Sequence, residues 1–106
     1  MAPGNLDVLR IAVYWLLDLE QFDDAITVAR RLALREPACG RCFNALANAY
    51  RGTRRYREGL ETFEEFAERG PLPEGFYWNA GVLALGAGEP QQALDYWARE
   101  QNDVGE

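Results

Sequence analysis

Apolar positions along this chain come in short runs separated by polar or glycine-rich steps, and the runs repeat at intervals of 34 residues. Leu9, Phe43 and Tyr77 are one such series; Leu16, Tyr50 and Ala84 are another. Ala25, Gly59 and Ala93 follow the same step, as do Ile26, Leu60 and Leu94, and Pro37 and Pro71. Small residues at Ala25, Ala47, Gly59, Gly81 and Ala93 let two helix axes approach closely. Bulky residues at Leu9, Phe43, Phe63, Tyr77 and Trp97 fill the space beside those contacts. Pro37 and Pro71 stop a helix, since proline lacks the backbone donor and clashes with the preceding turn. Glu20-Gln21, Thr53-Arg54-Arg55 and Gly86-Ala87-Gly88-Glu89 mark polar breaks, and Pro90 opens a last helix where its missing N–H costs nothing. The pattern predicts six helices, at about 5–19, 23–36, 40–52, 56–69, 74–86 and 90–102, and hence an all-α chain.

The central copy reads Phe43-x2-Leu46-Ala47-x2-Tyr50, then Gly59-x3-Phe63 and Pro71. The third reads Tyr77-x2-Ala80-Gly81-x2-Ala84 and Ala93-x3-Trp97; the first reads Leu9-x2-Ala12-Val13-x2-Leu16, Ala25-x3-Ala29 and Pro37. This pattern at this period resembles the tetratricopeptide repeat, whose unit is one helix–turn–helix. The resemblance implies a right-handed solenoid of three units, 6–39, 40–73 and 74–106, behind an N-terminal extension at 1–5. A single unit cannot bury its apolar face alone, so the copies must stack. Phe66 and Glu100 depart from the family pattern, which prefers a small residue at both places.

Composition narrows the function. The chain has 106 residues, 48% of them hydrophobic, and a net charge of −6. That suits one folded domain and disfavours nucleic acid, whose phosphates call for clustered positive charge. Arg51, Arg54, Arg55 and Arg57 are a local basic exception, read as a solvated turn before a contact patch for an acidic partner. All eleven basic residues are arginine, as a GC-rich bacterial genome would also produce. No stretch spans a bilayer and no charged leader precedes an apolar segment, so the expectation is a cytoplasmic protein with no membrane partner.

Cys39-Gly40-Arg41-Cys42 is the one motif that suggests chemistry. A haem attachment site needs a histidine where Phe43 stands, and a structural zinc site needs further ligands that a histidine-free chain with two cysteines lacks. The pair reads as two small, half-buried residues at a turn between units, with redox or metal chemistry as the alternative. No histidine base, phosphate loop or nucleophile elbow is present, so the chain is expected to be neither an enzyme nor a cofactor protein.

The resemblance also implies a concave groove lined by the first helix of each unit. Mapping that face gives Asp7, Arg10, Tyr14 and Leu17; then Arg41, Asn44, Asn48 and Arg51; then Trp78, Asn79, Val82 and Leu85. Asn44 and Asn48 lie one helical turn apart, where their amides can hold a peptide backbone. The carboxylate clamp known in the family is expected to be absent: Arg10 could stand for one member, but Tyr14, Ala45 and Gly75 occupy places of its asparagines and lysine. The first helix is apolar on nearly every side, which normally means burial all round. At the end of a stack Ile11, Trp15 and Leu19 would lie bare, so self-association is the preferred reading, ahead of an end-capping partner or an excised fragment. The implied role is an adaptor or scaffold holding a protein or peptide partner. The narrower alternative is a chaperone similar to those of type III secretion, and the other class is a redox or metal protein using Cys39 and Cys42.

Overall fold

The computed structural model describes residues 6–70 and 72–105, with side chains for 8–70 and 72–100. The N-terminal extension, Pro71 and the side chain of Asp7 lie outside the described residues. Six helices follow one another: α1 (Leu6–Asp18), α2 (Phe22–Arg35), α3 (Gly40–Gly52), α4 (Tyr56–Ala67), α5 (Phe76–Gly86) and α6 (Pro90–Gly105). Among the described residues there is no strand. The chain is thus an all-helical solenoid, as the pattern predicts. The main difference is α5, which begins at Phe76 rather than 74. Gly75 caps it in the left-handed region (φ 87°), and the Phe76 N–H donates to the Pro73 carbonyl, so the approach to α5 is a tight turn.

Each helix packs on its neighbours in sequence. The layers differ: α3 also packs closely on α1 and on α5, whereas the backbones of α2, α4 and α6 stay apart, α6 reaching α4 only by the 2.9 Å bond that Gln92 Nε2 donates to Glu64 Oε2. Helices on the inner side of a curved stack sit closer together, so α1, α3 and α5 form the concave layer. The centre of the molecule is aromatic. Phe43 meets the edges of Phe63, Phe66 and Phe76 at centroid distances of 5.6, 5.0 and 5.1 Å, and Phe63 stacks on Phe76 at 5.0 Å. Phe66, large where the resemblance favours a small residue, is buried and serves as one wall of this cluster. The small positions are buried as expected, and a methyl group on Gly59 would lie 2.9 Å from the Tyr50 ring. Tyr50 stays polar in the core because its hydroxyl shares a 3.0 Å hydrogen bond with Thr62. At the far end, burial pushes the Tyr96 phenol above its ordinary value, with the Gln92 hydrogen bond opposing, and the Arg99 guanidinium lies over both Tyr77 and Tyr96.

The turns within the helix pairs share one conformation. Glu20 (φ 58°), Arg54 (φ 59°) and Gly88 (φ 83°), 34 residues apart in turn, are all left-handed. Glycine adopts this region freely, while a side chain costs about 1 kcal/mol or more there. Arg54→Gly is therefore expected to stabilise the fold by about 0.5–1 kcal/mol, after the added freedom of the unfolded chain; urea unfolding with an unchanged slope checks it.

Ion pairs at equivalent places bracket neighbouring units. Asp23 of α2 pairs with Arg55, and Arg57 of α4 pairs with Glu89 at 3.2 Å while also donating to the Ala87 carbonyl at 2.9 Å. The second pair is the first shifted by 34 residues, with acid and base exchanged. Half of the basic cluster is thereby spent on holding turns, while Arg51 and Arg54 remain exposed.

Candidate functional site: the concave face

The concave layer gathers the predicted groove residues onto three touching helices. From α1 come Arg10, half-buried and paired with Glu36, the exposed Tyr14, and Leu17, which is half-buried and packed against the core. From α3 come Arg41, Asn44, Asn48 and Arg51, all exposed and spaced three or four residues apart, which is one face of one helix. From α5 come Trp78, exposed, with Asn79 and Val82 half-buried and Leu85 exposed beyond them. The alternation arises because the intervening positions of α3 (Cys42, Phe43, Ala45, Leu46, Ala47, Ala49 and Tyr50) are taken by the core.

Two features join the helices. Asn79 Nδ2 donates to Asn44 Oδ1 at 2.6 Å, linking α3 to α5 across the face. A shallow depression between α1 and α3 is lined by Arg10, Val13, Tyr14, Leu32, Arg41 and Cys42. The wall at the other end is an indole pair: Trp78 stacks on Trp97 with centroids 5.4 Å apart, and Trp97 Nε1 donates to the Trp78 carbonyl at 3.2 Å. The Asn44–Asn79 bond consumes one of the amides assigned to peptide contact, leaving Asn48 the more open of the two. Sequence reasoning missed the indole pair, whose only signal is two large aromatics on consecutive helices.

Charge is unevenly spread. The helix α3 contains no acidic residue and α5 no charged one, whereas Asp23, Asp24, Glu58, Glu61, Glu64 and Glu65 are exposed on α2 and α4. An acidic protein therefore carries a locally basic and amide-rich concave strip. Cys39 and Cys42 flank its upper end and are joined as a disulfide, with Cα atoms 5.4 Å apart. The expectation of two half-buried residues at a turn needs adjusting, since Cys39 is half-buried but Cys42 is fully enclosed. No cluster of metal-ligating side chains occurs among the described residues, and no described helix is long and apolar enough to cross a membrane.

On α1, the stripe predicted to be bare is bare. Ile11, Trp15 and Leu19 are 60%, 68% and 63% exposed, and Val8 extends the same side. Spacings of four residues put Ile11, Trp15 and Leu19 on one line.

Three comparisons bear on these features. The sequence model described as "Tetratricopeptide repeat" matches residues 44–103. No curated protein matches the chain. Among solved structures the fold is similar to the type III secretion translocator chaperone SycD of Yersinia enterocolitica, in its alternative dimer. The likeness has a TM-score of 0.75 at 19% sequence identity and covers 98% of this chain and 79% of that one.

Proposed function

Because the chain belongs to the tetratricopeptide repeat family, we propose that it is a polypeptide-holding adaptor of three units, 6–39, 40–73 and 74–106, whose concave layer takes an extended segment of a partner. The observation that carries this reading is the strip Arg41, Asn44, Asn48 and Arg51 on α3, ending against the exposed Trp78. Arginine forks suit carboxylates, amides suit a peptide backbone, and an exposed indole suits an apolar side chain. The segment that fits is extended, carries carboxylates opposite Arg41 and Arg51, and places an apolar residue on Trp78. The similarity to SycD over nearly the whole chain supports a specialised version, a chaperone that keeps a secreted substrate in the groove until delivery, working in the cytoplasm.

Selection from a random-peptide library on the full chain tests the reading. Acidic–apolar extended peptides are expected to be enriched, and Asn48→Ala with Trp78→Ala is expected to weaken them at least ten-fold, a loss of about 1.4 kcal/mol. Binders indifferent to both substitutions would move the site off the concave face.

The bare stripe of α1 supports self-association, with a second copy covering Ile11, Trp15 and Leu19. Trp15→Glu is expected to convert an assembly into a folded monomer, seen as a halved mass by light scattering with helicity retained. An unchanged mass places the interface elsewhere.

A further inference from the structure

We propose that Cys39 and Cys42 form a thiol–disulfide exchange site, in which Cys39 is the sulfur that meets thiols from solution and Cys42 is the resolving sulfur. Four observations lead there. The two sulfurs are bonded to each other across a loop containing only Gly40 and Arg41. So short a loop removes little freedom from the unfolded chain, and it joins residues that the first turn of α3 already holds together, so the bridge is poorly placed as a staple. The pair sits at the start of a helix of thirteen residues, with Cys39 as its N-cap and Cys42 in its first turn. There the backbone N–H of Cys42 donates to Cys39 Sγ at 3.2 Å, so a negative charge on Cys39 has both a hydrogen bond and the positive end of α3 to hold it. Finally, the two cysteines are unequally exposed. Cys42 is 2% exposed and contributes to the floor of the concave depression, whereas Cys39 is partly open.

Residues of both charge signs surround the pair. They are Arg41 beside it, Arg10 of α1 with its partner Glu36 at the end of α2, and Glu74 of the α4–α5 connection, whose backbone carbonyl lies against Gly40. The helix terminus and the Sγ hydrogen bond both favour charge on Cys39. In the reductive direction a solvent thiolate attacks Cys39 Sγ. A bond forms between that sulfur and Cys39, the Cys39–Cys42 bond breaks, and Cys42 leaves with the electron pair and takes up a proton. A second thiolate then attacks the solvent-derived sulfur of the mixed disulfide and releases Cys39 as a thiolate. The protein disulfide gains two electrons and two thiols become one external disulfide. Re-oxidation by a small disulfide runs through the same mixed disulfide on Cys39, with Cys42 closing the bridge.

The test uses the full chain. After mild reduction, alkylation with iodoacetamide is followed by peptide mass mapping across pH. Cys39 is expected to react about ten-fold faster than Cys42 near neutrality. Incubated with oxidised glutathione, Cys42→Ala is expected to accumulate a mixed disulfide on Cys39. Cys39→Ser, in which serine keeps the N-cap, is expected to form none in the same time. Should Cys42→Ala fail to fold, the wild-type alkylation ratio decides by itself. Equal rates for the two thiols, capture on Cys42, or a wild-type bridge that yields to thiols only in denaturant would each overturn the assignment, the last identifying a buried structural bridge.

Discussion

Phe43→Ala is expected to lower the melting temperature by on the order of 15 °C or more, the largest effect of any single truncation considered for this chain. The residue is 1% exposed and is the shared partner of Phe63, Phe66 and Phe76. Removing a buried aromatic ring typically costs about 3–5 kcal/mol, and a domain of this kind holds only about 5–15 kcal/mol in all. The loss includes three edge-on ring contacts joining α3 to α4 and α5, so the break separates the middle unit from the last. Differential scanning calorimetry reads the shift. Phe66→Leu provides the control, since it roughly conserves volume and is expected to cost less than about 1.5 kcal/mol. A Phe43→Ala protein melting within a few degrees of wild type would mean that the aromatic cluster does not hold the stack together.

Gly81→Ala is expected to cost about 1–3 kcal/mol by overpacking, and to remove the stacked indole pair from the concave face. A methyl group at Gly81 would stand 2.2 Å from Trp97 Nε1 and 2.6 Å from its Cδ1, so the indole must move. Moving it breaks the bond from Trp97 Nε1 to the Trp78 carbonyl and the stack on Trp78. Thirty-four residues earlier the positions of Gly81 and Trp97 are held by Ala47 and Phe63, an alanine with a smaller ring. Near-ultraviolet circular dichroism should lose the coupled-indole signal. In a Trp97→Phe background the cost of Gly81→Ala should shrink, because the clashing ring is gone; the double-mutant cycle measures that coupling. An equal cost in both backgrounds would place the clash elsewhere.

Much of this protein is legible along the chain. Most positions that set the repeat, Phe43, Tyr50, Gly59, Phe63 and Ala93 among them, are buried, with Leu94 an exposed exception, because burial of one face per helix is what writes a period into a sequence. The exposed stripe Ile11, Trp15 and Leu19 was legible for the complementary reason: an apolar helix at the end of a stack has one side with no neighbour. The exposure of Arg41, Asn44, Asn48 and Arg51 on α3 was also legible, since on a helix whose core face is assigned the remaining positions must face out.

Other features were not. The sequence pattern starts α5 two residues early because the propensity of 74–75 does not reveal the left-handed Gly75 turn. The left-handed Glu20 and Arg54 carry no glycine to announce them. Arg55 and Arg57 read alike as a basic turn, yet one reaches back to Asp23 and the other forward to Glu89. By itself, then, the sequence determined six helices and the burial of Phe43 and Phe63 at the centre, consequences of local helical spacing repeated at a fixed step, while Phe66 and Phe76 join that centre only in the tertiary structure. Only the tertiary structure decided the Asn44–Asn79 bridge, the Trp78–Trp97 wall, the charge-exchanged brackets and the unequal exposure of Cys39 and Cys42. Those depend on how far neighbouring units rotate against each other and which rotamer each long side chain then adopts, quantities that a period along the chain does not contain.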